Sequence, residues 1–499
     1  MGSKAQSTKG RSFQKPKGTR DFYPLELLRR RYVTETWRAV SIRHGFEEID
    51  GPTFEHAELY TVKSGEGILS ELFSFSREGG DDLYALRPEF TPTLARMYAA
   101  QAASLPKPCR WFCIPNFFRA ERPQRGRLRE FCQWNCDIIG EGFGTALDGE
   151  LEIVAVGALS TLGMTPTNCQ VSNFHRNIWT RIFGHAGIPE QQFASWFDWV
   201  DRYFRLTPEQ RMEYALRFGA SQKQVTDMTG VVQVMNGEAQ AQAGSIDEHV
   251  IREVTAPSAA ALAAVSDHFR DTGFDGWFKW DATLVRGLAY YTGTVFEVLA
   301  EGERAIAGGG RYDNLIELFG GPATPACGFG MGDVVLGNLL TDHGLMPGAD
   351  GDAGALMDAV QNVTTGALGS VSLRPDVFVV SADEDADGDV VPLVAQLRRG
   401  VESDTWRERG GKPWDADRYA IPPMHARPTD KATRNLKKLL QDAERARARF
   451  CAIVHTEGRV QLKDLDKRED LAHPSKGDWS ASPVDEHYVG RRWSAIRNG

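Results

Sequence analysis

Eleven residues, Arg127-Leu-Arg129-Glu-Phe-Cys-Gln133-Trp-Asn135-Cys-Asp137, hold the densest chemistry of the chain. Read as a strand, successive side chains alternate faces. One face then carries Arg127, Arg129, Gln133, Asn135 and Asp137, with Phe131 between; the other carries Cys132, Trp134, Cys136 and Ile138. An ordinary sheet with one wet face gives the same alternation. What sets this face apart is its gradient, with cations at one end and amide plus carboxylate at the other. Arginine forks grip phosphate oxygens in pairs, and Gln and Asp accept from an amine or an imidazole N–H. The face suits a ligand with an anionic phosphate end and a cationic or N–H-donating end. Cys109 and Cys113, and Cys132 and Cys136, have a spacing that a zinc site permits. Positions four apart on a strand also share a face where small thiols pack, so these are read as packing residues and no metal is assigned.

The elements that must hold this face can be placed. The aromatic run Arg110–Phe118 reads as a strand, Arg119–Arg129 as a charged loop with Pro123 and Gly126, and Phe131–Ile139 as the returning strand, a hairpin with a basic tip. Upstream, Leu25, Leu28, Tyr32, Val33, Trp37 and Val40 recur at helical spacing up to Gly45, and residues 46–50 read as a strand before Pro52. From about 172 to 275 the apolar spacing becomes helical, which predicts an insertion. Strand patterns return at Leu284–Val298, followed by Gly308-Gly309-Gly310 and a helix from about Tyr312. Residues 341–374, rich in Gly, Ala and Asp, read as a linker. Residues 375–472 read as a smaller mixed α/β domain, with helices near 391–399 and 430–448, strands at 450–455 and 459–463, and an irregular stretch at 403–428. Residues 1–14 and 473–499 read as disordered tails; the Ser- and Lys/Arg-rich start only faintly resembles a transit peptide.

Composition narrows the classes. The chain of 499 residues has room for two to four domains. A net charge of −9 argues against a protein coated in basic charge, but not against local nucleic-acid patches. Seven cysteines, an odd number, do not make a full disulfide framework, so a reducing cytoplasm fits. No long apolar run predicts a membrane span, and the start lacks the apolar core of a secretory signal.

The hairpin also carries a resemblance. Phe118-Arg119-Ala-Glu121-Arg122-Pro-Gln124-Arg125-Gly126-Arg127-Leu-Arg129-Glu-Phe131 is very similar to motif 2 of histidyl-tRNA synthetases, a family of class II aminoacyl-tRNA synthetases. Lys15-Pro-Lys-Gly-Thr-Arg-Asp21 looks like the family's opening, residues 25–52 occupy the place of the dimer-forming motif 1, and Leu86-Arg-Pro-Glu89-Phe-Thr91 matches its signature before motif 2. Leu284-Val-Arg286-Gly-Leu-Ala-Tyr290-Tyr291 is similar to a segment particular to histidyl enzymes and their relatives, with Ala289 where an aspartate is common. Ala305–Asp313 resembles the glycine-rich floor of the histidine pocket.

The resemblance implies roles. Arg119 and Arg286 would be catalytic, neutralising the charge of a carboxylate attacking the ATP α-phosphate. Glu89, Thr91, Gln133, Asp137, Arg286, Tyr290, Tyr291 and Tyr312 would bind histidine. Arg119, Glu121 and Arg127 would bind ATP, and Arg122, Gln124 and Arg125 would touch the tRNA acceptor end. It implies a six- or seven-stranded antiparallel sheet flanked by helices, with a helical insertion and a C-terminal anticodon-binding domain. It further implies a cytoplasmic homodimer, with magnesium accompanying ATP and tRNA(His) as partner. One departure stands out. Where motif 3 ends in Glu-Arg, this chain reads Gly328-Phe-Gly-Met-Gly332-Asp333-Val334-Val335, and Val335 cannot perform the γ-phosphate contact of the family's arginine. Either another cation substitutes, with Arg125 and Arg311 the candidates, or ATP binding is weaker, or activation is lost. The competing reading is a degenerate paralogue, the histidine-sensing regulatory subunit of ATP phosphoribosyltransferase. That subunit lacks a C-terminal anticodon domain, which residues 375–472 resemble, and Lys431, Arg434, Lys437, Lys438, Arg445 and Arg447 would offer it a basic face for tRNA.

Overall fold

The computed structural model describes residues 13–64, 71–140, 146–237, 248–285, 291–456 and 460–470. Both tails, but for residues 13 and 14, and the segment from Arg286 to Tyr290 lie outside these. Helix α1 (Pro24–Arg43) opens on a proline, whose missing N–H is harmless in a first turn. It buries Tyr32, Val33, Trp37 and Val40, the stripe its spacing predicts. Strand β1 (Glu47–Glu48) follows. A small antiparallel sheet of β2 (Phe54–His56), β3 (Ser74–Ser76) and β4 (Leu83–Leu86), with α2 (Glu58–Ser64), precedes α3 (Thr91–Gln101). Next come β5 (Cys109–Cys113), β6 (Asn116–Phe118), β7 (Glu130–Ile139), α4 (Ala146–Thr161) and β8 (Gln170–His175).

The helical insertion comprises α5 (Asn177–His185), α6 (Phe193–Asp201), α7 (Pro208–Arg217), α8 (Gln222–Met235) and α9 (Glu248–Asp271). Its core is Trp179, Phe183, Trp196, Trp199, Met228 and Val232. The insertion thus begins after β8, a central strand that the expected start at 172 would have cut. The chain returns through β9 (Phe278–Trp280), β10 (Thr294–Leu299), β11 (Ala307–Arg311), α10 (Leu315–Leu318), β12 (Ala326–Gly332) and α11 (Asp333–Asp342). The helix expected from Tyr312 is one short turn.

Among the described residues the central sheet has nine strands in the order β1-β5-β7-β12-β11-β10-β8-β9, with β6 pairing β7 off this path. From β5 to β8 it is antiparallel, as expected; the short edge strands β1 and β9 pair in parallel and extend it. Helices α1 and α4 cover one face. There Trp37 stacks on Trp134 of β7 with centroids 5.8 Å apart, and Trp134 Nε1 donates to Ser41 Oγ at 2.9 Å. Truncating such a core tryptophan costs about 3–5 kcal/mol.

The stretch expected as a linker holds a helix, α12 (Ala353–Thr364), packed on α1. Asp352 caps it, accepting from Gly354 N and Ala355 N, and Leu356, Ala359, Val360 and Val363 are buried at helical spacing. The C-terminal domain orders its strands β16 (Ala426–Pro428), β13 (Val377–Ser381), β17 (Phe450–Val454), β18 (Val460–Asp464) and β19 (Glu469–Asp470) in one sheet. Helix α13 (Asp387–Arg399) covers one face and α15 (Leu436–Arg445) the other. The stretch expected to be irregular holds α14 (Asp404–Glu408), β15 (Tyr419–Ile421), which pairs β14 (Val401–Glu402), and β16. The two domains meet through Arg110 of β5, whose guanidinium reaches Asp430 at 2.9 and 3.0 Å and Glu150 at 3.3 Å. A cavity of about 640 Å³ lies at this junction and holds none of the residues expected to bind histidine or ATP. No described helix is long and apolar enough to cross a membrane.

Candidate active site

Strand pairing assembles the pocket. In the β7–β12 register Asp137 faces Gly328, Asn135 faces Gly330 and Gln133 faces Gly332. Side chains opposite one another share a sheet face, so the polar row of β7 lies beside three residues without side chains. At Gly328 and Gly330 a side chain would crowd the polar row, whereas Gly332 has open space around it. A Cβ on Gly328 would sit 2.8 Å from Asp137 Cγ and 3.0 Å from the Tyr312 hydroxyl; one on Gly330 would sit 2.8 Å from Gln133 Cδ. With Gly308 and Gly309 of β11 they form the floor of a cavity of about 740 Å³.

Most of the predicted ligand residues line that cavity: Glu89 and Thr91 at the start of α3, Arg119 and Arg127 on the hairpin, Gln133 and Asp137 on β7, and Tyr291 and Tyr312. Asp137 and Tyr312 are buried, at 5% and 1% exposure, and the Tyr312 hydroxyl donates to Asp137 Oδ1. Arg119 Nε donates to the Pro88 carbonyl at 3.1 Å, and its guanidinium lies 5.3 Å from the centre of the Phe131 ring. Arg127 pairs with Glu121 at 2.8 Å, so Glu121 reaches the site through that arginine without lining it. Arg122, Gln124 and Arg125 stand exposed on the hairpin tip, outside the cavity. Arg286 and Tyr290 lie outside the described residues.

The valine at position 335 forms an apolar wall, its Cγ2 3.0 Å from where a Cβ on Gly126 would stand. Neither candidate to replace the missing arginine reaches it. Arg125 turns away to Glu303 at 2.9 Å and Asp342 at 2.8 Å. Arg311 points through the other face of the sheet to Asp148 of α4 at 2.9 Å, because adjacent positions on a strand face oppositely. Burial weakens that guanidinium, but Asp148, Cys327 and Asp313 together raise its pKa, so it stays locked in the pair. The cavity also takes in residues the sequence did not mark, Arg205 from the insertion and Arg304 from the β10–β11 turn. Nothing local in the sequence announces either; their place is set by non-local packing.

Strand parity also separates the cysteines. Cys113 pairs with Asn135, while Cys136 pairs with Phe112. Cys109 and Cys113 therefore lie on the face opposite Cys132 and Cys136, and the four thiols do not converge. Burial pushes the Cys109 thiol up to about 12 and Cys132 up to about 11, which suits packing thiols.

An antiparallel sheet with a polar hairpin strand, a glycine floor and an arginine pocket defines the catalytic domain of a class II aminoacyl-tRNA synthetase. A sequence profile described as histidyl-tRNA synthetase matches residues 18–332. The chain is 37% identical over 347 residues to a histidine–tRNA ligase of Opitutus terrae, covering 67% of this chain and 76% of that protein. It is 33% identical over 469 residues to a histidine–tRNA ligase of Haloarcula marismortui, covering 92% of this chain and 95% of that one. The solved histidyl-tRNA synthetase of Nostoc sp. PCC 7120 has the same fold, with a TM-score of 0.56 at 20% identity over 96% of this chain and 99% of that one. The chain belongs to the histidyl-tRNA synthetase family, the ligases that join histidine to tRNA. The regulatory-subunit reading is not better supported than the ligase reading; the Haloarcula ligase is matched over nearly all of its own length.

Proposed function

We propose that this cavity activates histidine with ATP and passes the histidyl group to the 3′ end of tRNA(His). The observation that carries the reading is one glycine-floored cavity holding Arg119 at its hairpin side and the Asp137–Tyr312 pair deep in its floor. The buried Asp137 carboxylate accepts an imidazole N–H, Tyr291 completes the ring's surroundings, Gln133 contacts the reacting end of the histidine, and Glu89 and Thr91 take the α-amino group. A site built on such donors and acceptors rejects amino acids that lack them. Attack of the histidine carboxylate on the α-phosphorus brings two anions together, so a fixed cation between them lowers the barrier. Arg119 is that cation, with Arg286 its intended partner, and Arg127 steadies the nucleotide. Pyrophosphate leaves; the terminal ribose hydroxyl of the tRNA then attacks the histidyl carbonyl and AMP leaves. Magnesium would accompany ATP and neutralise phosphate charge, and the lining carboxylates Glu297 and Glu303 would help hold it.

Arg122, Gln124 and Arg125 on the exposed tip meet the acceptor end. The exposed Lys437, Lys438, Arg445 and Arg447 of the C-terminal domain meet the rest of the tRNA. Lys431 and Arg434 are already paired with Asp442 and Asp387. The protein works in the cytoplasm as a homodimer. Exposed Phe54, Phe75 and Leu83 on the small sheet next to the 25–52 segment give an apolar patch for that interface. The deciding experiment is ATP–pyrophosphate exchange with each amino acid in turn. Exchange with histidine alone is expected; exchange with another amino acid, or none with folded protein, would sink the reading.

A further inference from the structure

The cavity must hold a triphosphate, yet two of its described arginines are already neutralised. Arg127 pairs with Glu121 at 2.8 Å and Arg205 with Asp201 at 2.6 Å. Arg119 and Arg304 are the lining arginines left, among the described residues, with neutral acceptors only: the Pro88 carbonyl for one, the Gln124 side-chain carbonyl at 2.7 Å for the other. The carboxylate beside Arg304, Glu303, is held by Arg125 at 2.9 Å.

Arg304 also stands at the place where charge is lacking. The point where a Cβ on Gly126 would stand is 3.0 Å from Val335 Cγ2 and 3.6 Å from Arg304 Cδ, so the two side chains flank one spot on the cavity wall. Strand register fixes which end of the cavity this is. Ala307 pairs with Met331 and Gly332 with Gln133, so the β10–β11 turn projects past the Gln133 end of the floor. Asp137, opposite Gly328, is four residues further along, roughly 13 Å at the rise of a strand. The end of the floor beyond Gln133, away from the proposed imidazole partner Asp137, is where the distal phosphates of ATP belong.

We propose that Arg304 supplies the cation for the terminal phosphate of ATP that the valine at position 335 cannot. The inference rests on the proposed activation reaction. Exchanging a neutral amide for a phosphate oxygen strengthens the hydrogen bonds of the guanidinium fork. Gln124 then acts as a rest position, holding the side chain near the phosphate site until the nucleotide enters.

The test compares Arg304→Ala and Arg304→Lys with the wild type. Calorimetric titration with ATP and with AMP, both with magnesium, reads binding; histidine-dependent pyrophosphate exchange reads activation; thermal melting checks the fold. Arg304→Ala is expected to weaken ATP binding about 10- to 100-fold, leave AMP binding within about twofold, and leave the KM for histidine unchanged. Arg304→Lys, which keeps the charge without the fork, is expected to fall between. Equal losses for ATP and AMP, no loss for either, or a defect confined to tRNA charging with exchange intact would overturn the assignment. The last would mean that Arg304 serves the acceptor loop through Gln124. If the wild type binds ATP but exchanges with no amino acid, the functional reading fails while the ATP-against-AMP comparison still decides the role of Arg304.

Discussion

Replacing Gly328 by alanine puts a methyl group where the proposed histidine site is tightest. A Cβ there would lie 2.8 Å from Asp137 Cγ, closer still to Oδ1, and 3.0 Å from the Tyr312 hydroxyl. The backbone cannot retreat, because Gly328 sits mid-ladder between Gly310 and Asp137. The carboxylate must therefore turn, breaking the Tyr312 bond and moving the acceptor away from the ligand. A hydrogen bond to a charged group is worth about 1.5–3 kcal/mol, and every 1.4 kcal/mol is about tenfold in affinity. The KM for histidine in pyrophosphate exchange is expected to rise about 10- to 100-fold, with the KM for ATP within about twofold. Tyr312→Phe, which removes the donor without the clash, is expected to give a smaller rise. A folded Gly328→Ala protein with unchanged histidine KM would refute the placing of histidine against Asp137.

Arg119→Ala should lower the exchange rate about 100- to 1000-fold without moving the melting temperature, since its described partners are a carbonyl and a ring face; normal exchange would remove it from the reaction. Arg110→Ala leaves Glu150 and Asp430 only their longer contacts, to Arg398 at 3.6 Å and Arg427 at 3.8 Å, a change expected to destabilise by about 1–3 kcal/mol in chemical denaturation while histidine and ATP KM values hold; an unchanged midpoint would show that the domain junction is not held by this ion pair. Stability should also fall with acid from two buried histidines at that junction. Burial lowers the pKa of His44 well below 6.5, helped by Arg398 and Arg43. Burial likewise lowers His425 to about 4 against the opposing bond to the Ser372 carbonyl, with Arg427 and Arg398 adding to the lowering. Both bind protons more readily unfolded, so their stabilisation is complete above about pH 6.5 and is lost as pH falls toward 4, at up to about 1.4 kcal/mol per pH unit for each. Denaturation midpoints that stay flat from pH 7 to 4.5 would contradict this, and His425→Gln should flatten the slope.

Period-two alternation makes the polar face of β7 legible from the residues themselves, because parity alone decides which side chains of a strand share a face. The same parity, applied across the β5–β7 pairing, parts the cysteines, but pairing is non-local and four-residue spacing on one strand cannot reveal it. Helix α12 is hidden because Gly348, Gly351, Gly354 and a run of alanines give residues 341–374 the composition of a linker. The periodic Leu356, Ala359, Val360 and Val363 lie within it, and Asp352 supplies the cap. Edge strands β1 and β9 are two and three residues long, too short for any alternation to register. The functional consequence of Val335 is visible in the sequence as a missing charge, but its replacement is not. Arg125 and Arg311 are nearer the sequence motifs, yet one is drawn to Glu303 and Asp342 and the other faces through the sheet. Arg304 stands just outside the Ala305–Asp313 motif and gains its position from the β11–β12 ladder.

The first turn of α11 explains how this site can do without the family's arginine there. Asp333 Oδ2 accepts from Arg20 at 2.6 Å and its Oδ1 accepts from Cys132 N at 3.0 Å. One carboxylate thus pins the opening segment and the root of strand β7 to the start of the helix. The opening segment is tied to the hairpin a second time, since Arg129 N donates to the Gly18 carbonyl at 2.8 Å. Val335, in the same turn, packs under Gly126 and so supports the hairpin from inside the cavity. Residues 333–335 therefore hold the hairpin that carries Arg119 and Arg127, whereas an arginine at 335 would hold nucleotide. In the proposed reaction, fixing Arg119 in place would itself aid catalysis, because a cation already oriented toward the α-phosphate needs no reorganisation during attack. The distal phosphates ask less: they need charge nearby, not a rigid vector, and an arginine on the β10–β11 turn can meet that need.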